Sequence, residues 1–181
     1  MNRPAARYPT SPLEALVLVT TGADQTRQLA AAAAPLCVPG DVLLLVGDLG
    51  AGKTAFAQGF GAGLGITDQM TSPTFTLVRS YPVATGSGVR VLLHADVYRL
   101  DYLHEIFDLG LGELIADGGV ALIEWGDAAE PLLGEGSLTV RMEGDGEDTE
   151  RRVITVSSPA VGWSDRWTGL VEALAPWRAD R

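Results

Sequence analysis

Eight residues, Gly47-Asp48-Leu49-Gly50-Ala51-Gly52-Lys53-Thr54, carry the types that bind phosphate at the spacing that phosphate binding requires. The pattern is a glycine, four residues, then Gly-Lys-Ser/Thr, set between an apolar run and a helix-like run. Glycines let the backbone wrap so that successive N–H groups point inward at phosphate oxygens. The helix N-terminus behind them adds partial positive charge. Lys53 is expected at the β- and γ-phosphates, and the Thr54 hydroxyl is expected to hold Mg²⁺. The binding stretch is Asp48, Leu49, Gly50, Ala51, Gly52, Lys53, Thr54 and Ala55. Of 13 basic residues, 12 are arginine, so Lys53 is the only lysine. A glycine-rich βα turn without a ligand gives no reason for that lysine to fall here. The ligand implied is a nucleoside triphosphate.

A phosphate loop does not by itself specify a reaction. Mg²⁺ needs a carboxylate at the end of a neighbouring strand, and hydrolysis needs a group that places water. Glu124 follows Val120-Ala121-Leu122-Ile123, and Asp96 follows Val91-Leu92-Leu93-His94-Ala95, so both emerge at strand ends where α/β sheets bind ligands. Spacing leaves open which of the two touches the metal, and an ordinary strand-end acid in a turn or ion pair is the alternative for each. Thr74, in a Ser-Pro-Thr segment, is a candidate γ-phosphate sensor, against a plain turn before a strand. Trp125 either stacks on a base or serves core and partner contact. His94 and His104 are each better read as structural or solvated than as catalytic. Arg99 stands between an arginine finger and a salt bridge. The only asparagine is Asn2, so no Asn-Lys-x-Asp guanine-reading motif exists. That excludes a Ras-like GTPase and favours ATP.

Several elements must position these groups. Residues 15–20 are strand-like. Thr21 and Asp24 resemble a capping box opening a helix that Pro39-Gly40 ends. Residues 41–46 are apolar almost throughout, as in a parallel strand buried on both faces. After the loop, Phe56, Phe60 and Leu64 form a core-facing helical stripe. Residues 76–81 and 89–95 fit a hairpin. Residues 101–114 suggest short helices, 120–123 another buried strand, and 137–142 with 151–156 a late antiparallel pair. Residues 143–150 hold five acids and two glycines, a solvated loop tip. Residues 163–177 read as a terminal helix capped by Ser164 and stopped by Pro176. The fold class is α/β, a P-loop NTPase core with a central, mostly parallel sheet, some antiparallel strands, and flanking helices. Residues 1–14 form a flexible leader, 15–158 the domain, and 159–181 a tail of helical character.

The 46% hydrophobic and 20% charged content is that of a soluble globular chain, and no apolar run approaches a membrane span. Cys37 is the single cysteine and reads as a small buried residue. These features point to the cytoplasm. A net charge of −10 argues against a broad nucleic-acid face. Neither DNA nor a membrane is expected as a partner, and any RNA is expected to be held by another protein.

Four ordered blocks now have a family likeness. The phosphate loop, Ser72-Pro-Thr-Phe75, His94-Ala-Asp-Val-Tyr-Arg99 and Ile123-Glu-Trp125 together resemble TsaE (YjeE), the bacterial ATPase family of tRNA threonylcarbamoyladenosine modification. The resemblance runs from about residue 21 to 156. It implies that Lys53 and Thr54 bind phosphate and Mg²⁺, and that Glu124 is the Walker-B-like acid, catalytic together with Lys53 and Asp96. It places Thr74, His94, Tyr98, Arg99 and Trp125 in the switch or the partner-facing surroundings. It further implies a helper ATPase for TsaB and TsaD, meeting tRNA only through them. Gly126 departs from the proline common after Glu-Trp in that family, and the leader and tail lie outside its pattern. The rival readings are a small phosphotransferase with Asp96 as base, and a nucleotide-gated binding module with little turnover.

Overall fold

The computed structural model describes residues 15–73, 77–84, 86, 88–97, 110–125, 136–146, 150–158 and 162–179. Thr74, Tyr98, Arg99, His104 and Gly126 fall outside the described residues.

Two apolar runs decide the centre of the sheet. β2 (Val42–Val46) and β5 (Gly119–Glu124) lie side by side and parallel, and β5 is buried along its whole length. β4 (Val91–Asp96) continues in parallel beyond β5, and β6 (Leu138–Gly144) runs parallel to β2 on its other side. Three antiparallel pairings finish a seven-stranded sheet: β3 (Val78–Pro82) on β4, β7 (Arg152–Ser157) on β6, and β1 (Leu16–Thr20) on β7. The order is β1-β7-β6-β2-β5-β4-β3. The expected mixture of a parallel centre with antiparallel flanks is the observed one.

Side-chain alternation splits this sheet into two buried faces. Leu43, Leu45, Leu92, Val120 and Leu122 pack with α1 (Ala23–Ala33) and α2 (Lys53–Gly63), whose Leu29, Phe56 and Phe60 are buried. Leu44, Leu93, Ala95, Ala121 and Ile123 face the other way, toward Leu111 of α3 (Leu111–Ala116). Phe56 and Phe60 stack with centroids 6.2 Å apart, as the stripe required.

The two long helices approach closely because α2 carries glycine where it meets α1. A Cβ on Gly59 would lie 2.1 Å from the Arg27 carbonyl oxygen. Gly59→Ala therefore forces the helices apart, costing about 1–3 kcal/mol for overpacking, more than the ~1 kcal/mol of helix propensity it gains. Thermal unfolding should show a lower Tm, and a raised one would contradict this packing.

Two local expectations are corrected. Thr21 does not cap α1: Gly22 occupies that position, without a side-chain cap, and the Thr21 N–H instead donates to Gln25 Oε1 at 3.0 Å. Gln25 has the reach that Asp24 lacks, so the helix starts one residue later. The terminal helix is also shorter, α4 (Trp167–Ala173), followed by a 3₁₀ turn at Ala175–Trp177. Pro176 lies inside that turn, in its first positions, where no N–H is needed. Ser164 donates to Asp165 rather than capping the helix. The segment ahead of α4 is held by Arg166, whose guanidinium forks onto Asp41 (2.5 and 2.9 Å) and donates to Leu36 and Gly162 carbonyls. It also lies 4.1 Å over the ring of buried Trp163. Cys37 is buried as expected, and burial first, then the nearby Asp41 charge, pushes its thiol well above the usual range. Among the described residues, no helix is long and apolar enough to cross a membrane.

Candidate nucleotide site

The phosphate loop leaves the C-terminal end of β2 and enters α2 through Gly52, which takes a left-handed φ of 109°. Gly47 must be glycine for a different reason: a Cβ there would meet the Met142 carbonyl oxygen of β6 at 2.3 Å. Lys53 opens α2, only 5% exposed, and its Nζ donates to the Gly47 and Asp48 carbonyls at 2.6 and 2.9 Å. The ammonium also lies 4.0 Å from the centroid of the Trp125 ring, a cation–π contact.

β4 and β5 bring the two acids together. Asp96 and Glu124 are register partners on adjacent parallel strands, 4% and 3% exposed. The Thr54 hydroxyl donates to Glu124 Oε1 at 3.2 Å, and His94 Nε2 lies 2.8 Å from the same oxygen. With Glu124 ionised, the imidazole donates from Nε2, and its Nδ1 has no hydrogen-bond partner among the described residues. Both bonds fall on one carboxylate oxygen, so Oε2 remains for a cation. A hydroxyl and a carboxylate oxygen this close are the hard donors that Mg²⁺ takes from a protein.

A cleft of about 510 Å³ opens over these groups, lined by Leu49, Gly50, Gly52, Lys53, Thr54, Ala55, Ser72, Asp96, Glu124 and Trp125. A second cleft of about 590 Å³ lies across the loop, against Asp48, Ala51, the end of β6 and Arg152. All eight residues expected to bind the nucleotide line one cleft or the other. Among the described residues, only Leu77 and Trp125 are non-glycines with positive φ, 62° and 61°. Trp125 lines the first cleft, and the Leu77 carbonyl accepts from the Asp96 N–H at 2.9 Å. Strained backbone of this kind collects at functional sites.

Comparison with known proteins follows the same residues. The family described as "Threonylcarbamoyl adenosine biosynthesis protein TsaE" matches residues 20–153. The chain belongs to the TsaE family. The TsaE protein of Bacillus subtilis (strain 168) is 42% identical over 156 residues, covering 86% of this chain and 91% of that protein. The TsaE proteins of Treponema pallidum and Streptomyces coelicolor are each 40% identical, covering 77% and 82% of this chain and 98% and 99% of theirs. The crystal structure of Bacillus subtilis YdiB matches with a TM-score of 0.66 at 36% identity, covering 90% of this chain and 95% of that one. Those relatives are named for tRNA threonylcarbamoyladenosine biosynthesis.

Within this TsaE chain, Lys53, Thr54, Asp96, Glu124 and Trp125 line one cleft, with His94 buried beneath Glu124. His94, expected near the switch or a partner, is fully buried. Ser72 lines the cleft, whereas Thr74, Tyr98 and Arg99 lie outside the described residues. Arg152 escaped the sequence reading. It is one of 12 arginines and lies 98 positions beyond Thr54 (152 − 54), in no motif.

Proposed function

We propose that this chain binds and hydrolyses Mg-ATP to support threonylcarbamoyladenosine modification of tRNA, working with TsaB and TsaD. The observation that carries this reading is the meeting of Thr54 Oγ1 and Glu124 Oε1 at 3.2 Å in the cleft that Lys53 also lines. A phosphate chain along the loop would offer Lys53 Nζ charged oxygens in place of the Gly47 and Asp48 carbonyls. That exchange is favourable because charge-assisted hydrogen bonds are the stronger ones.

Thr54 and Glu124 would hold Mg²⁺, which when bound neutralises charge on the phosphate oxygens. His94 keeps Glu124 oriented by occupying Oε1. Asp96, at the same sheet level as Glu124, is the other carboxylate among the described residues of the first cleft and the candidate to accept a proton from an attacking water. Trp125 covers the Lys53 end of the cleft and limits access of bulk water.

The acidic chain suits a component that leaves the tRNA to its partners, given a net charge of −10. The same charge and the absence of a membrane-length apolar run fit a cytoplasmic protein. The test is formation of modified nucleoside over many turnovers by TsaB and TsaD with tRNA and an excess of a preformed, activated threonylcarbamoyl donor. Product should continue past the first turnover only with this chain and hydrolysable ATP present. Equal yield without the chain would overturn the reading.

A further inference from the structure

We propose that Arg152 is a positioning residue for the phosphate loop, fixing its backbone from outside so that the Gly52 N–H is aimed at the phosphates. The proposal rests on the nucleotide-binding reading above. Arg152 begins β7, where its backbone pairs with Thr20 of β1 on one side and Gly144 of β6 on the other. From that anchored position its guanidinium reaches the loop. Nε donates to the Ala51 carbonyl and Nη2 to the Gly50 carbonyl, each at 3.2 Å, while Nη1 donates to the Arg151 carbonyl at 2.9 Å.

Peptide planarity converts these contacts into orientation. In a trans peptide the C=O of one residue and the N–H of the next point in opposite directions. Fixing the Ala51 carbonyl toward Arg152 aims the Gly52 N–H away from it. Fixing the Gly50 carbonyl turns the Ala51 N–H back, and that group donates to the Asp48 carbonyl at 3.1 Å. Lys53 holds the Gly47 and Asp48 carbonyls from within. The carbonyls of residues 47, 48, 50 and 51 are thus each held by a cationic side chain, one on either side of the loop.

A loop containing Gly50 and Gly52, with φ of 80° and 109°, has wide backbone freedom to lose. Holding it in shape before the ligand arrives moves that ordering cost from binding to folding. Arginine suits the task because Nε and Nη2 of its rigid fork meet the two carbonyls from separate, fixed positions. A lysine at this place has no donor at the Nε position and would have to reach both from one nitrogen on a flexible stem.

The experiment titrates ADP and ATP into wild type, R152A and R152K, alongside thermal unfolding and amide hydrogen exchange of the nucleotide-free proteins. R152A should raise Kd for both nucleotides about tenfold, the loss expected for hydrogen bonds to a charged group. R152K should recover little of it. Exchange at the Ala51 N–H, which the Asp48 carbonyl protects, should quicken in R152A, with β2 and β5 amides unchanged. Affinity of R152A within twofold of wild type, full recovery by R152K, or unaltered loop exchange would each overturn the proposal. Failure of the wild type to bind either nucleotide would instead overturn the functional reading, while loop exchange would still report whether Arg152 orders the loop.

Discussion

Lys53→Ala should raise the Kd for ATP about a hundredfold, equivalent to ~2.7 kcal/mol, and abolish any nucleotide-dependent activity. The magnitude follows from the Lys53 surroundings. Lys53 is 5% exposed, holds its ammonium against the loop carbonyls, and is the single lysine of the chain. Alanine removes the charge-assisted bonds to phosphate, each stronger than a neutral one. The bonds from Nζ to the Gly47 and Asp48 carbonyls belong to the nucleotide-free chain and would be exchanged for phosphate, so the loss of affinity comes from the charge. Isothermal titration with ATP measures the effect directly. Unchanged affinity and hydrolysis would contradict the assignment of the loop.

Glu124→Gln should separate binding from turnover. Glutamine keeps an acceptor for the Thr54 hydroxyl and for His94 Nε2, so the buried site retains its shape. What disappears is the negative charge that would organise the cation. The metal contributes most where charge moves in the transition state, so turnover should fall on the order of a hundredfold or more, as for loss of an electrostatic stabilising group. ATP affinity should change only about threefold, since Lys53 and the loop N–H groups still hold the phosphates. Equal losses in titration and in phosphate release would count against this division of roles.

The site was legible in the sequence where local order forces geometry. Gly47 to Thr54 are contiguous, so their spacing alone puts the glycines, Lys53 and Thr54 on one loop between β2 and α2. Asp96 and Glu124 were legible because each ends an apolar strand, and parallel pairing then brings them to one level. The sheet followed from the buried runs at 42–46 and 119–124 for the same reason. Contacts made across the fold left no such mark. The distance between His94 Nε2 and Glu124 depends on the register of β4 against β5, which no single strand encodes. Arg152 meets Gly50 and Ala51 only because β7 returns beside β6. At neither helix start does a side chain cap: the Thr21 N–H donates to Gln25, and the Ser164 hydroxyl donates to Asp165.

The decisive measurement follows the γ-phosphate of labelled ATP with this chain alone, and then with TsaB, TsaD and tRNA. Free phosphate should be released slowly by the chain alone and faster once the partners are added, with no label on any organic acceptor. Label transferred to an acceptor, or bound ATP that is never cleaved even with the partners present, would contradict the proposed ATPase.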